Sequence, residues 1–599
     1  MLSLLRRFGG VYRRHLIVGP LTKLVEVLFD LITPLVIARM IDEGITLRDT
    51  AVVVRYGAIL IAMAVGGLLF TLICQKAAAL ASQGMGTDIR REMYHRINGF
   101  SYAELDRFGT PSLITRITND VNQVQLAVAL AIRQLIRWPL LAIGSMVAAL
   151  TIDVRLGAIF LISTPLVGIV FWIVMARCVP YFKRMQSQLD RLALIAREGL
   201  EGARVVRAFA REGHERARFD DAARVQARIA LAVGRLSSVL NPVTLLIMNL
   251  AVCAILWAGG LQVDAGDLTQ GDVVAFVSYM TQTLLSIVYV ANLVVIFTKA
   301  SASASRIGEV LACEGAIADP VTPDPRIDDH ILVRALAAIR FNGVSFSHEG
   351  ASAPALDDVS LELPVGGTLG VIGGTGSGKS SLVQLIPRLY DVCSGSVEVL
   401  GVDVRSWPIA RLRGEVSLVP QEASLVSGTI RSNLDWRDPD ADDAELWDAL
   451  ETAQAADFVR ALPGGLDARV EAGGRNFSGG QRQRLSIARA LVGDPSVLIL
   501  DDASSALDAR TDSSLRRALR FRRQCGHGSP RSTVIVSQRV SSVRDADLIC
   551  VMRHGRVVGL GGHEELIGTC AVYREICQSQ HVEVAALGSG SEEGAVAHV

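Results

Sequence analysis

Along the first three hundred residues the apolar positions run together in blocks and form neither narrow stripes nor alternating pairs. A bilayer core calls for about 20 consecutive mainly apolar residues, and six windows of that kind can be drawn: Leu16 to Met40, Val52 to Cys74, Leu126 to Ile152, Leu156 to Ala176, Leu240 to Gly260 and Val273 to Phe297. The third and fourth are separated by little more than Asp153, Val154 and Arg155, which predicts a tight hairpin. Two long polar, helix-forming stretches lie between the second and third windows and between the fourth and fifth. Arg6, Arg7, Arg13 and Arg14 precede the first window, and Arg90, Arg91, Arg96, Arg177, Lys183 and Arg184 fall in the long insertions. Basic residues favour the cytoplasmic side, so both insertions and both chain ends are expected there. The basic start, MLSLLRRFGGVYRRH, reads as a cytoplasmic lead-in to a retained helix, because no small-residue cleavage site follows it.

After Arg306 the pattern changes. The stretch CEGAIADPVTPDPRIDDH is rich in Pro and Asp and reads as a linker. Beyond it, short Val/Ile/Leu-rich runs alternate with helical patterns, which predicts a mostly parallel sheet in an α/β domain. The expected organisation is a six-helix, all-α membrane domain over residues 1–310, a linker over 311–338, an α/β domain over 339–580 and a disordered Gly-, Ser- and Glu-rich tail over 581–599.

Composition agrees. Of 599 residues 50% are hydrophobic and 20% charged, and the mean hydropathy is +0.36, which is too apolar for an ordinary soluble protein. Sixty basic residues balance sixty acidic ones, giving no support to a nucleic-acid partner. Nine scattered cysteines contain no C-x-x-C pair and read as small apolar fillers.

Ionisable residues at membrane depth are costly and need a partner or a purpose. Lys23, Glu26 and Asp30 recur at i, i+3 and i+7, on one face of the first predicted span. Two readings are open: a substrate-facing stripe whose carboxylates attract cationic groups, or a mutually neutralised cluster that packs helices together. Arg133 and Arg137 are expected to be snorkelling anchors.

The strongest local signal is GGTGSGKS, Gly373 to Ser380, preceded by the apolar run Leu369 to Ile372 and followed by a helical pattern from Ser381. Strand, glycine-rich loop and helix stand in the order that a phosphate-binding loop requires. The glycines allow backbone N–H groups to surround phosphates at a helix N-terminus. The binding set is Gly373, Gly374, Thr375, Gly376, Ser377, Gly378, Lys379, Ser380 and Ser381, with Lys379 reaching the terminal phosphates and the Ser380 hydroxyl available to Mg2+. Downstream, the run Val497 to Leu500 ends on Asp501, which reads as a buried strand delivering an acid to the same Mg2+.

Between these elements stands NFSGGQRQRLSIARAL, Asn476 to Leu491. Its SGGQ core, Ser478, Gly479, Gly480 and Gln481, resembles the signature of the ATP-binding-cassette transporters. Six spans followed by one cassette resemble the half-transporters of the exporter type. The resemblance implies ATP as the nucleotide and a second half-transporter as partner, because in this family the signature of one cassette closes on the nucleotide held by the other. It also implies that Gln421 ligates Mg2+ or water and that Asp508 communicates between the two sites. The stretches Gly109 to Asp120 and Glu198 to Glu215 resemble the family's cytoplasmic extensions, whose tips dock on the cassettes.

Three positions depart from the family pattern. Asp502 stands where the family has the glutamate that polarises water, and Gln538 where it has a histidine. Shortening the acid by one methylene withdraws its carboxylate by about an ångström, a misplacement that costs on the order of a hundredfold in rate. Glutamine can hydrogen-bond a phosphate but brings it no positive charge. His348 stands where a tyrosine usually stacks on adenine; imidazole can still stack, with less area.

Loss of both hydrolytic residues with the rest retained resembles the degenerate member of heterodimeric exporters. The expected function is export of a small amphipathic molecule, a drug or lipid, across the cell (inner) membrane, with most hydrolysis on a different chain. The alternatives are an ATP-gated channel or regulatory subunit, and an importer of exporter architecture.

Overall fold

The computed structural model describes residues 1–327, 337–525 and 532–580. The expected disordered tail, 581–599, and residues 328–336 of the expected linker lie outside them. The chain divides into two compact units: Met1–Ile97 with Pro111–Cys313, and Asn98–Thr110 with the chain from Glu314 onward. The second unit thus includes a segment taken from the middle of the first.

The first unit is helical: α1 (Arg13–Arg39), α2 (Thr50–Asn98), α3 (Val121–Gln134), α4 (Arg137–Ile152), α5 (Val154–Glu201), α6 (Glu212–Ser238), α7 (Leu240–Ala265) and α8 (Gln270–Ala312). Among the described residues five helices are long and apolar enough to cross a membrane. The first predicted span falls on α1, whose inner charges at Lys23, Glu26 and Asp30 set it apart from those five. The predicted hairpin is present in its tightest form. Only Asp153 separates α4 from α5, and its carboxylate accepts the Leu156 amide at 2.8 Å, capping α5.

The third predicted span is interrupted, with α3 ending at Gln134 and α4 starting at Arg137. Pro139 explains the break: it has no N–H for the Leu135 carbonyl, and its ring crowds that carbonyl. Inside the unit, Ala38, Ala149, Phe160, Ile255, Phe276 and Tyr279 form a buried core. The outer surface is the reverse of a soluble protein's, with Ile162, Trp172 and Trp257 each more than 70% exposed. In water such side chains would each forgo about 1.5–3 kcal/mol of burial; lipid removes that penalty.

The second unit is α/β. An antiparallel sheet of β1 (Ala337–Phe346), β2 (Leu356–Pro364), β4 (Ser394–Val399) and β5 (Val402–Asp403) runs in the order β2-β1-β4-β5. A second sheet is built from β3 (Thr368–Gly373), β6 (Val416–Val419), β7 (Val497–Asp501), β8 (Ser532–Ser537), β9 (Leu548–Arg553) and β10 (Arg556–Gly561). Its order is β10-β9-β3-β8-β7-β6, parallel except for the β10 edge. All five residues of β7 are buried, as expected for a parallel strand covered on both faces. The short helix Tyr102–Phe108 belongs to this unit. Glu104 accepts the Ser101 amide and hydroxyl with one carboxylate oxygen, at 2.7 and 2.6 Å, and the Ala316 amide with the other, at 3.0 Å.

Candidate nucleotide site

The glycine-rich loop leaves the C-terminal end of β3, where β8 and β9 flank it, the place in an open parallel sheet where ligands bind. Gly376 and Gly378 have φ of +76° and +97°, and a Cβ on Gly378 would stand 2.5 Å from the Ala355 carbonyl oxygen, so this turn excludes side chains. The helix Lys379–Leu385 follows at once. Lys379 Nζ donates to the carbonyl oxygens of Gly373 and Gly374 at 2.9 and 2.8 Å, folding the ammonium back over the loop. Burial lowers its pKa, and the nearby charges of Asp502 and Asp501 resist that shift.

Ser380 Oγ donates to Asp501 Oδ1 at 3.2 Å. Asp501 is 5% exposed, and burial, with a contribution from Asp502, raises its pKa against the opposing effects of Ser380 and Lys379. A hydroxyl and a buried carboxylate are hard oxygen donors, and a carboxylate held unfavourably as an anion gains from an adjacent cation. The pair therefore fits Mg2+. Gln421 follows β6, whose Val419 pairs with Leu500, and it lies exposed beside the end of the Asp501 strand.

Asp502 adopts φ +47° and its amide donates to the Val536 carbonyl at 3.0 Å. A left-handed conformation suits Asp better than longer acids. Gln538 is exposed at the end of β8, the strand between the loop strand and the Asp501 strand. Its carbonyl accepts from Gln580 Nε2. His348 turns toward the loop helix: its Nε2 lies 3.2 Å from Ser381 Oγ, and its ring packs edge-on against Phe346 and Tyr390.

The structure thus brings together Gly373, Gly374, Thr375, Gly376, Ser377, Gly378, Lys379, Ser380, Ser381, Asp501 and Asp502, with His348, Gln421 and Gln538 on neighbouring loops. The signature is elsewhere. Ser478 caps the helix Gly479–Leu491, exchanging bonds with Gln481: its amide donates to Gln481 Oε1 at 2.9 Å, and its Oγ accepts the Gln481 amide at 3.3 Å. Gly479 is exposed and Gly480 partly so, and no hydrogen bond joins these residues to the loop group among the described residues. Asp508 is likewise outside the cluster, accepting the Thr511 amide and hydroxyl at 2.8 and 2.9 Å; those bonds hold its carboxyl below the usual range.

In the first unit, Lys23 Nζ donates to both oxygens of Glu26 at 2.7 and 2.6 Å. Arg137 bridges Glu26 at 2.6 Å and Asp30 at 3.1 Å. Arg137 is therefore not a snorkelling anchor: two carboxylates on α1 hold its guanidinium, which also lies 5.2 Å from the Trp138 ring. Both acids are engaged by basic groups of the same chain. Tyr390 and Gln580 are contacts that no sequence motif marked. An aromatic residue shortly after the loop helix was the one visible signal, in RLYD.

A glycine-rich loop at a strand end, a lysine over it, and a serine paired with a buried aspartate define a P-loop nucleotide-binding cassette following a helical membrane unit. The comparisons carry this further. Residues 16–288 match the family model of the ABC transporter transmembrane region, and residues 356–505 match the family model of the ABC transporter. The chain is 37% identical over 593 residues to an uncharacterized ABC transporter ATP-binding protein of Mycobacterium tuberculosis (strain CDC 1551 / Oshkosh), covering 98% of this chain and all of the relative. It is 29% identical over 572 residues to an ATP-dependent lipid A-core flippase of Chromobacterium violaceum, covering 96% of each. Its fold matches a bacterial Atm1-family ABC exporter solved with ATP bound, at a TM-score of 0.75 and 23% identity, over 98% of this chain and all of that one. The chain belongs to the ABC transporter family.

Proposed function

We propose that this chain is one half of an ATP-driven exporter in the cell (inner) membrane, that it pairs with a different half-transporter, and that its own ATP site turns over slowly. The observation that carries the reading is an asymmetry within one cassette. Ser478 and Gln481 keep a well-formed, exposed helix start at the signature, while the positions beside the loop that do chemistry hold Asp502 and Gln538. A helix N-terminus offers free N–H donors to a phosphate, so the signature suits a nucleotide held by another cassette.

At its own site, the loop amides and Lys379 hold the phosphates in place, and Ser380, Asp501 and Gln421 would hold Mg2+, which supplies charge neutralisation between phosphate oxygens. Asp502 would orient the attacking water, with too short a reach to do it well, and Gln538 would contact the terminal phosphate without adding charge. The substrate class, a small amphipathic molecule such as a lipid, is supported by the name of the flippase relative. The test compares ATP turnover of the purified chain alone with that of the chain assembled with a partner half carrying Glu and His at these positions. Low turnover alone and high turnover together support the reading. Equal, robust turnover alone rejects it.

A further inference from the structure

The charges inside the membrane unit do not cancel. Lys23 and Arg137 balance Glu26 and Asp30 through the bonds described above. That leaves Arg133, four positions before Arg137, without an ion-pair partner among the described residues. Arg133 lies beside the balanced group: the buried Cys74 of α2 feels the charges of Lys23, Glu26 and Arg133 together. Helix packing is close here. A Cβ on Gly19 of α1 would stand 2.3 Å from Cγ2 of Ile132, the residue before Arg133. Leu135 and Ile136 keep right-handed helical dihedrals across the α3–α4 junction, so Arg133 and Arg137 share one face. The Nε of each is buried and bonded to nothing in the chain.

A guanidinium cannot shed its proton to escape an apolar setting, and an ionisable group at membrane depth needs a partner or a purpose. Arg137 has its partners in Glu26 and Asp30. Arg133 has a planar fork of donors on a side chain that is only half-buried, so an anion can reach it. The fork matches a carboxylate or a phosphate, each of which accepts two parallel N–H bonds. Its surroundings match the rest of an amphiphile: Leu126 and Ile136, at i−7 and i+3 on the same face, are apolar and exposed. The same excess positive charge disfavours a cationic head. We infer that Arg133 receives the oxyanion head, carboxylate or phosphate, of the amphiphile that this chain moves. The inference rests on the exporter reading and adds the charge of the head. Lys23, Glu26, Asp30 and Arg137 remain the packing group that holds α1 beside this face.

The test is equilibrium binding to the full chain, in non-ionic detergent and mildly alkaline buffer, of probes that share one acyl chain: oleate, oleoyl lysophosphatidate, monoolein and oleylamine. Oleate, the lysophosphatidate or both are expected to bind about tenfold more tightly than the neutral and cationic probes, the gain from a charge-assisted fork. The tighter of the two names the head as carboxylate or phosphate. Arg133→Gln is expected to bind all the probes alike while binding ATP as wild type does. Arg133→Lys keeps the charge without the fork and is expected to retain part of the preference. Equal affinities of wild type for every probe overturn the inference and leave the exporter reading standing, and this comparison needs no variant to fold. A preference kept in Arg133→Gln overturns it too. So does a variant whose only defect is weaker pairing with the partner half, which would make Arg133 an interface residue. Binding of none of the probes would remove the inference together with the reading beneath it.

Discussion

The side-chain amide of Gln580 straddles the loop at Gln538. Its Nε2 donates to the Gln538 carbonyl at 2.7 Å, and its Oε1 accepts the Val540 amide at 2.8 Å. The residue that ends the last described helix, Ala571–Ser579, therefore ties together the Gln538 carbonyl and the Val540 amide on either side of Arg539. Net hydrogen-bond contributions are about 1 kcal/mol each. Gln580→Ala is expected to speed exchange of the Val540 amide by about tenfold while leaving exchange in β3 unchanged. Unaltered exchange at Val540 would refute the clamp.

Restoring the hydrolytic pair, Asp502→Glu with Gln538→His, is expected to raise turnover at this chain's own site by about 10–100-fold, within the range for a repositioned general base. Asp502→Glu alone should gain less, because φ is +47° there and a longer acid tolerates that conformation less well than Asp. Single-turnover hydrolysis in an assembled dimer whose other site is blocked measures this. No gain from the pair would count against the assigned roles.

Burial raises the pKa of Asp501, so holding its carboxylate as an anion carries a cost. For a group whose folded pKa is raised, stability is greatest below the unfolded value and falls as pH rises through the folded one. Asp501→Asn is therefore expected to raise Tm in Mg2+-free buffer at pH 7, by about 2–4 °C per kcal/mol relieved. The same substitution should abolish the further rise that Mg2+–ATP gives wild type. Thermal melts with and without Mg2+–ATP decide both halves.

Glu104 behaves in the opposite sense. Burial alone would raise its pKa, but bonds from Ser101 and the Ala316 amide overcome that and hold it below the ordinary value. Its contribution is present above the usual Glu pKa of about 4.3 and is lost as pH falls through the depressed folded pKa. Limited proteolysis at residues 98–110 should stay slow from neutral pH to about 5 and accelerate in more acidic buffer. Glu104→Gln is expected to be cut readily throughout.

Arg137→Met leaves Glu26 sharing Lys23 alone and Asp30 without a cation. The network is only partly buried, with Arg137 24% and Asp30 36% exposed, so its loss on one side is expected to reduce folding yield and lower Tm by less than for a fully buried pair. The combined replacement Lys23→Met, Glu26→Met, Asp30→Asn and Arg137→Met should recover much of that loss. If Arg137→Met were as stable as wild type yet defective in transport, the cluster would be a substrate site and not a helix-packing one.

What could be read in the sequence was what local chemistry demands. The loop was legible because φ values like those of Gly376 and Gly378 need glycine, and the hairpin because a lone Asp between apolar runs can cap the second helix. The α3–α4 break was less so, since Pro139 sits inside an otherwise unbroken apolar window. Contacts between distant segments were not legible: Arg137 lies 111 positions from Glu26, and nothing local to either names the other. For the same reason the acids of α1 could be placed on one face while their partners stayed open. Tyr390 and Asp106, 284 positions apart, required the fold.

The short segment Asn98–Thr110 leaves the membrane-unit chain at Ile97 and rejoins it at Pro111, yet it folds with residues made much later. Glu104 waits for Ala316, 212 positions on, and Asp106 for Tyr390. On the ribosome this helix is therefore synthesised long before its binding surface exists, and the nucleotide-binding unit must close around a strap already fixed at both ends. A cassette released by cutting the linker would lack that strap. Its isolated fragment should expose the Tyr390 surface, aggregate, and regain solubility when a peptide of residues 98–110 is supplied.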